Sequence, residues 1–585
     1  METFVGGNAK KTLILRSFTI GSKQALEGSS LYEQLEKFIS AELESRKHTG
    51  SSVAVVLNEA IVWSKGFGYR NVEKKISAVP ETVYRCASVT KPVVATGFLQ
   101  LMEKGRFHLD DPVNDHLDVK IRTGFKKEPT IRDLLTHHSG LPTRVPPIFF
   151  DRSEALTLRK YISKAARIVQ PPGKSYAYCN TAFTIIGHLI ELFSGTAYDL
   201  YLRENVLKPL EMNSSDFEST KAIEESLAHG YGREGGPDEP VQPVRPYVNG
   251  TVPEDPCGSL FSTVVDLSHF LTAHMNDGVY KGHRILKPET LEEMHKLQAG
   301  AGDSRSGMAL SWFRNIHDGH VMLSHTGSMP GFTNHVAFYP DQKMGVCWLS
   351  NLNDGTVWRP PAPSALRIVA GGTPFDPRAI QSVPDEWKKL IGKYGKIGQT
   401  YSVKVKDGYL ILEGANGMLF LENTDKWKYL VHGTHYEGYE LTFELSETGD
   451  IKQFDLENQV VPRFVEEPVI INERANLMGS WRGEYVHPYG FFDLLLDVKS
   501  QTEAAATDMD GKNLQLEHFE AERGRVAGSY KFAPPRDYVG WGAGEFQVKL
   551  DLIAVNDKLV GTMTFASRRE SSKLTASLTL TRVAD

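Results

Sequence analysis

One Ser-x-x-Lys tetrad, Ser88-Val89-Thr90-Lys91, occurs among the 585 residues. If a helix opens here, residues three apart share a face, and the Ser88 hydroxyl and Lys91 amine can hydrogen-bond as nucleophile and base. The unpaired N–H groups and positive dipole end of a helix N-terminus suit the oxyanion formed when a serine attacks a carbonyl. The chemistry on offer is acyl transfer through a serine ester. Other candidates must be sorted from decoys. Tyr-x-Asn begins at Tyr69, Tyr178 and Tyr247, and His-x-Gly begins at His48, His138, His317 and His325. Tyr69 sits in a predicted hairpin, Tyr247 in a proline-rich stretch, and His138 in a loop after the helix predicted from Thr130 to Thr136. Tyr178-Cys179-Asn180 and His325-Thr326-Gly327 remain, each beside a clear element.

The elements that must position these residues are legible as patterns. Val94, Phe98, Leu101 and Met102 follow the tetrad at helical spacing and Gly105 ends the run, which places Ser88 and Lys91 in a first turn where Pro92 is tolerated. Phe183, Ile186, Leu189, Ile190 and Phe193 predict an amphipathic helix behind Asn180, stopped by Gly195. Val321 to Leu323, Val336 to Tyr339 and Gly345 to Leu349 predict three antiparallel strands, with His325 on the first and Pro340-Asp341 as a turn. Leu31, Leu35, Phe38, Ile39 and Leu43 mark a helix, followed by a hairpin of Val53–Leu57 and Ile61–Gly68 around Asn58-Glu59. One antiparallel sheet with a separate helical cluster, and a site where they meet, is the α+β arrangement these imply.

Ser88-x-x-Lys91, Tyr178-x-Asn180 and His325-Thr326-Gly327, in that order, resemble the three active-site motifs of the penicillin-recognising serine enzymes. The branch is that of class C β-lactamases, D-alanyl-D-alanine carboxypeptidases, D-aminopeptidases and related esterases. Leu109–Pro112, Thr130–Pro142 and Gly258–Thr263 also resemble it, so the likeness runs over about residues 30 to 355. It implies a β-lactamase/transpeptidase-like fold and attack by Ser88, with Lys91 and Tyr178 sharing the proton as a coupled pair. Neutral Lys91 at pH 7 requires its pKa to fall by about 3, about 4 kcal/mol. By the same resemblance Tyr178 activates the deacylating water or alcohol, the Ser88 and Ser328 N–H groups form the oxyanion hole, and Asn180 binds the substrate amide. Where β-lactamases and carboxypeptidases carry lysine, this chain has His325, mostly neutral at pH 7 and a poorer carboxylate anchor. That departure points to amides or esters other than β-lactams.

Beyond Pro360-Pro361-Ala362-Pro363, with Pro374, Pro377 and Pro384, strand patterns dominate. Leu390-Ile391-Gly392-Lys393-Tyr394 resembles Leu477-Met478-Gly479-Ser480-Trp481, and each is expected to open one small lipocalin-like barrel. The expected organisation is an extension (1–27), a catalytic domain (28–372), a linker (373–386) and two barrels (387–470 and 474–585). This order resembles D-aminopeptidases, whose last barrel sends a loop to the active site. Here 534–542 is the candidate loop, with Asp537 as partner of a substrate ammonium. A net charge of −6 gives no case for nucleic acid, and four cysteines, all before residue 350, indicate no disulfide framework. No apolar run has membrane-span length, so a cytoplasmic protein without membrane contact is expected. No cofactor is expected, nor any metal, because no metal-ligand spacing appears. The expected function is a serine hydrolase of amides or esters, D-amino acid derivatives included. An acyltransferase of small-molecule biosynthesis and an inactive scaffold are the alternatives. The partners are a small acyl donor and a water, alcohol or amine acceptor, with a homodimer left open.

Overall fold

The computed structural model describes residues 29–582 apart from 142–156, 169, 175, 234–238, 245–254, 299–306, 354–359, 374–383, 397–398, 407–408, 415–416, 433–439, 457–458, 464–474, 488–489, 508–512, 524, 533–545, 556–557 and 568–572. Helix α1 (Ser29–Ser45) leads into strands β1 (Gly50–Leu57), β2 (Ala60–Asn71) and β3 (Ile76–Ser77). The β1–β2 turn is two residues, and both Asn58 (φ 47°) and Glu59 (φ 71°) are left-handed. This is the type I′ geometry that matches strand twist. β1 then pairs with Met344–Ser350, Val53 opposite Trp348, which joins the hairpin to the late strands His320–Met329 and Phe332–Tyr339 in one eight-stranded antiparallel sheet.

Both faces of this sheet are covered, and β1 shows why. Val53 and Val55 point to one side, where they pack with Leu35 and Ile39 of α1 and Leu366 and Ile368 of the helix Ala362–Val369. Ala54 and Val56 point to the other, into the larger core with Phe270 and Leu271 of the helix Val264–Met275. All four are fully buried, and full burial of a valine side chain contributes about 1.5–3 kcal/mol. The same larger core holds helix α2 (Thr90–Glu103) and the helix Asn180–Ser194, closed by Gly195 at φ 71°.

One expectation changes. Ser88 lies in a single 3-10 turn, Ala87–Val89, and α2 begins at Thr90, so Pro92 is its third residue. The proline-rich stretch after Pro360 starts with a helix, Ala362–Val369, that packs with α1 against the sheet. Pro361 precedes it and Pro363 sits in its first turn, where no intrahelical N–H bond is lost.

Two antiparallel sheets follow, as expected from the strand patterns. Eight strands from Gly392–Lys396 to Gln459–Pro462 pair in simple sequence order, and a bridge between Tyr394 and Arg463 brings last to first. Nine strands from Gly479–His487 to Lys573–Arg582 form the second, in which first and last pair directly, Trp481 opposite Arg582. The two Leu-x-Gly-x-aromatic segments begin these sheets and share a local bond. Tyr394 OH donates to Leu390 O at 2.7 Å, and Trp481 Nε1–H donates to Leu477 O at 2.9 Å. The first barrel is tied to the preceding domain by Arg367, whose guanidinium meets Glu422 at 2.6 and 3.1 Å, while His432 Nε2 lies 2.8 Å from the same carboxylate. Burial alone would raise the Glu422 pKa, but His432 and Arg367 hold it down to about 2.

Candidate active site

The turn bearing Ser88 is held from three sides. Cys86 N–H donates to Leu260 O (2.8 Å), Thr90 Oγ1–H to Ala87 O (2.6 Å), and Asn334 Nδ2–H to Arg85 O (2.9 Å). Ala87 itself is left-handed at φ 49°. A non-glycine residue there costs on the order of 1–3 kcal/mol, and the surrounding bonds hold it in place. The turn leaves Ser88 half-buried, whereas Lys91, one turn on, is fully buried.

Lys91 Nζ lies 3.0 Å from Ser88 Oγ and donates to Cys257 O at 3.1 Å. It also stands 4.8 Å from the centre of the Tyr178 ring and 5.4 Å from that of Phe183. A cation over an aromatic face is attracted by the ring quadrupole, so this amine has a polar carbonyl and two π faces in place of water. Tyr178 is carried by the extended segment that enters the helix Asn180–Ser194, and the Cys179 thiol caps that helix by accepting from Ala182 N–H at 3.4 Å.

His325 reaches the same cluster from the strand His320–Met329, its ring 6.5 Å from that of Tyr178. The strand can approach the Ser88 turn because of Gly327: a Cβ at that position would sit 2.2 Å from Cys86 O. His325 is buried, and its Nδ1–H donates to Thr326 O at 2.7 Å. Burial, then the Lys91 charge, push its pKa down to about 3, so the ring is neutral. Its Nε2 is therefore a bare lone pair, buried without a hydrogen-bond partner among the described residues.

The structure thus gathers Ser88, Lys91, Tyr178 and His325, three separate stretches of chain, around one point. Asn180 is half-buried at the start of its helix, and Ser328 is exposed at the end of the His325 strand, where Asn353 Nδ2–H donates to its Oγ at 3.1 Å. Asp537 and the loop 534–542 lie outside the described residues. Sequence reasoning missed three participants. The Cys257 carbonyl holds Lys91, Phe313 packs 5.2 Å from the His325 ring and also against the first barrel's core, and the His137 ring lies 4.3 Å from that of Tyr178. A histidine just past a capped helix was the one visible signal. Among the described residues no group of three or more His, Cys, Asp or Glu could hold a metal ion, and no helix is long and apolar enough to cross a membrane.

The comparisons with known proteins bear on the family. The beta-lactamase family model matches residues 35–370, more than half of the chain. Protein flp of Staphylococcus aureus strain N315 is 27% identical over 333 residues, covering 55% of this chain and 63% of that protein. Beta-lactamase-like protein 2 of Dictyostelium discoideum is 26% identical over 339 residues, covering 55% of this chain and 59% of its own length. The match therefore spans less than two thirds of these curated relatives. Among solved structures, the octameric penicillin-binding protein homologue from Pyrococcus abyssi is similar over 74% of this chain and 99% of its own, with a TM-score of 0.53 and 26% identity. With its three motifs converged on Ser88 and its matched family model, the chain belongs to the beta-lactamase family of penicillin-recognising serine hydrolases.

Proposed function

We propose that this protein hydrolyses an amide or ester through a covalent acyl-Ser88 intermediate, with acyl donors that carry no carboxylate at the position facing His325. The observation that carries the reading is the fully buried Lys91 amine 3.0 Å from Ser88 Oγ and over the Tyr178 ring. Ser88 Oγ attacks the carbonyl carbon and its proton passes to the Lys91–Tyr178 pair. The carbon–nitrogen or carbon–oxygen bond then breaks, and that proton leaves on the amine or alcohol. Water attacks the ester carbonyl, gives a proton to the same pair, and Ser88 regains it as the acid departs. Asn180 binds the substrate amide, and the Ser88 and Ser328 N–H groups receive the oxyanion. D-Amino acid amides and esters are among the proposed substrates.

The neutral His325 supports the selectivity. A group with a pKa of about 3 carries no charge at pH 7, so it offers a carboxylate no cation, while its bare Nε2 suits a donor N–H or O–H. The test compares kcat/KM for p-nitrophenyl acetate, D- and L-alanyl p-nitroanilide and benzylpenicillin. Turnover of the ester and the D-anilide, with benzylpenicillin at least about 100-fold poorer, is expected, a gap of about 2.7 kcal/mol. Efficient benzylpenicillin hydrolysis would overturn the proposed selectivity.

A further inference from the structure

His137 makes contacts on both sides of Tyr178 in the chain. Its carbonyl accepts from Ala177 N–H at 2.8 Å, and its Nδ1 accepts from Cys179 N–H at 3.1 Å. The ring is fully buried and lies 4.3 Å from the Tyr178 ring, tilted by 34°. The residue itself is left-handed at φ 60°, just beyond the helix Ile131–Leu135, whose start is fixed by a Thr130–Asp133 capping box. That helix is a rigid mount, and the backbone on both sides of Tyr178 hangs from His137, two residues past its end.

The protonation state follows from the bonds. A backbone N–H can only donate, so Nδ1 carries no hydrogen, and the neutral ring carries its hydrogen on Nε2. That Nε2–H is buried without a partner among the described residues, a cost of about 1–3 kcal/mol. An apolar ring would fill the same space without the cost, but it would strand the buried Cys179 N–H. The polar ring is therefore explained by what Nδ1 holds. Lys91, His325 and His138 are the charged or titratable neighbours that act on it, and burial, followed by the Lys91 charge, keeps it neutral. Tyr176 and Phe183 complete its surroundings, at ring distances of 6.1 and 5.7 Å.

The geometry points to His137 as a positioning residue that clamps Tyr178 against Lys91 through the Cys179 N–H bond, so that proton transfer at Ser88 depends on its Nδ1. This rests on the acyl-Ser88 reading above. Misplacing a reacting group by an ångström can cost about 100-fold in rate.

The experiment compares His137→Asn, whose side-chain oxygen falls near the place of Nδ1 and which tolerates a left-handed backbone, with His137→Gln, whose amide reaches only towards Nε2. Two readouts are taken on the full chain: the acylation rate constant with p-nitrophenyl acetate, corrected for burst amplitude, and hydrogen–deuterium exchange of the peptide covering 176–183. His137→Asn is expected within about threefold of wild type in both. His137→Gln is expected to acylate about 30- to 100-fold more slowly at full burst amplitude, with the Cys179 amide exchanging faster. Equal behaviour of the two variants, or a Gln loss explained by missing burst amplitude alone, overturns the clamp. If His137→Gln does not fold, His137→Asn decides: a loss beyond about tenfold overturns it. If the wild type forms no acyl adduct, the functional reading fails, and amide exchange still decides whether His137 holds the segment.

Discussion

In the proposed function, the difference between a lysine and a histidine at one strand position sets what this site can hold. At 325 the imidazole is locked by Thr326 O as the Nδ1–H tautomer, and burial beside Lys91 keeps it neutral. Replacing it by His325→Lys would put an ammonium where the substrate is expected. The ratio of benzylpenicillin to p-nitrophenyl acetate acylation should then rise about tenfold or more, the worth of one charge-assisted hydrogen bond. An unchanged ratio would mean that this position does not face the acyl donor. Ser88, Lys91, Tyr178 and His325 were legible because their types recur in order at motif spacing. His137 was not, since its partner Cys179 N–H lies 42 residues downstream and its neighbour His138 drew the only histidine argument in that stretch.

Each proposed catalytic residue sits where an element begins or passes close to another. The helix Asn180–Ser194, the β1–β2 hairpin and the His325 strand follow directly from apolar spacing and turn residues. The 3-10 turn at Ser88 does not, because Ala87 adopts φ 49° where no glycine announces a left-handed residue. The bonds to Leu260 O and from Asn334 that hold it are tertiary and leave no local pattern. Gly327 is the element-scale counterpart: it lets the strand pass the Cys86 carbonyl. Gly327→Ala would place a Cβ 2.2 Å from that oxygen, and backbone must move. The strand and the Ser88 turn should part, with kcat/KM down about 100-fold and stability lower by about 1–3 kcal/mol, read by ester kinetics and thermal unfolding. Wild-type activity in this variant would show that the approach of strand and turn does not matter.

Across the whole molecule, alternation revealed the strands and two barrels were expected, whereas the pairs that close each one were hidden. Trp481 meets Arg582 and Tyr394 meets Arg463 at opposite ends of their domains, and only the repeated Leu-x-Gly-x-aromatic start hinted at two similar units. The catalytic domain also buries neutral histidines: His274 and His295 face each other at 3.0 Å, and burial lowers the pKa of His295 to about 3. His137, His274 and His325 are displaced in the same direction. A folded-state pKa below the unfolded value of about 6.5 gives stability that is present above pH 6.5 and lost as pH falls towards 3. Each such group contributes up to about 1.4 kcal/mol per pH unit in that window. Urea unfolding at pH 7 and pH 5 should show a clear loss at pH 5, and equal stability would contradict the buried-neutral assignment. The measurement that tests the central claim most directly is intact mass of the full chain, quenched during rapid mixing with p-nitrophenyl acetate, for wild type and Ser88→Ala. The account predicts a nitrophenol burst with a single acetyl adduct in the wild type, and neither in Ser88→Ala. An adduct that survives in Ser88→Ala, or a wild type that turns over ester with no burst and no adduct, would contradict it.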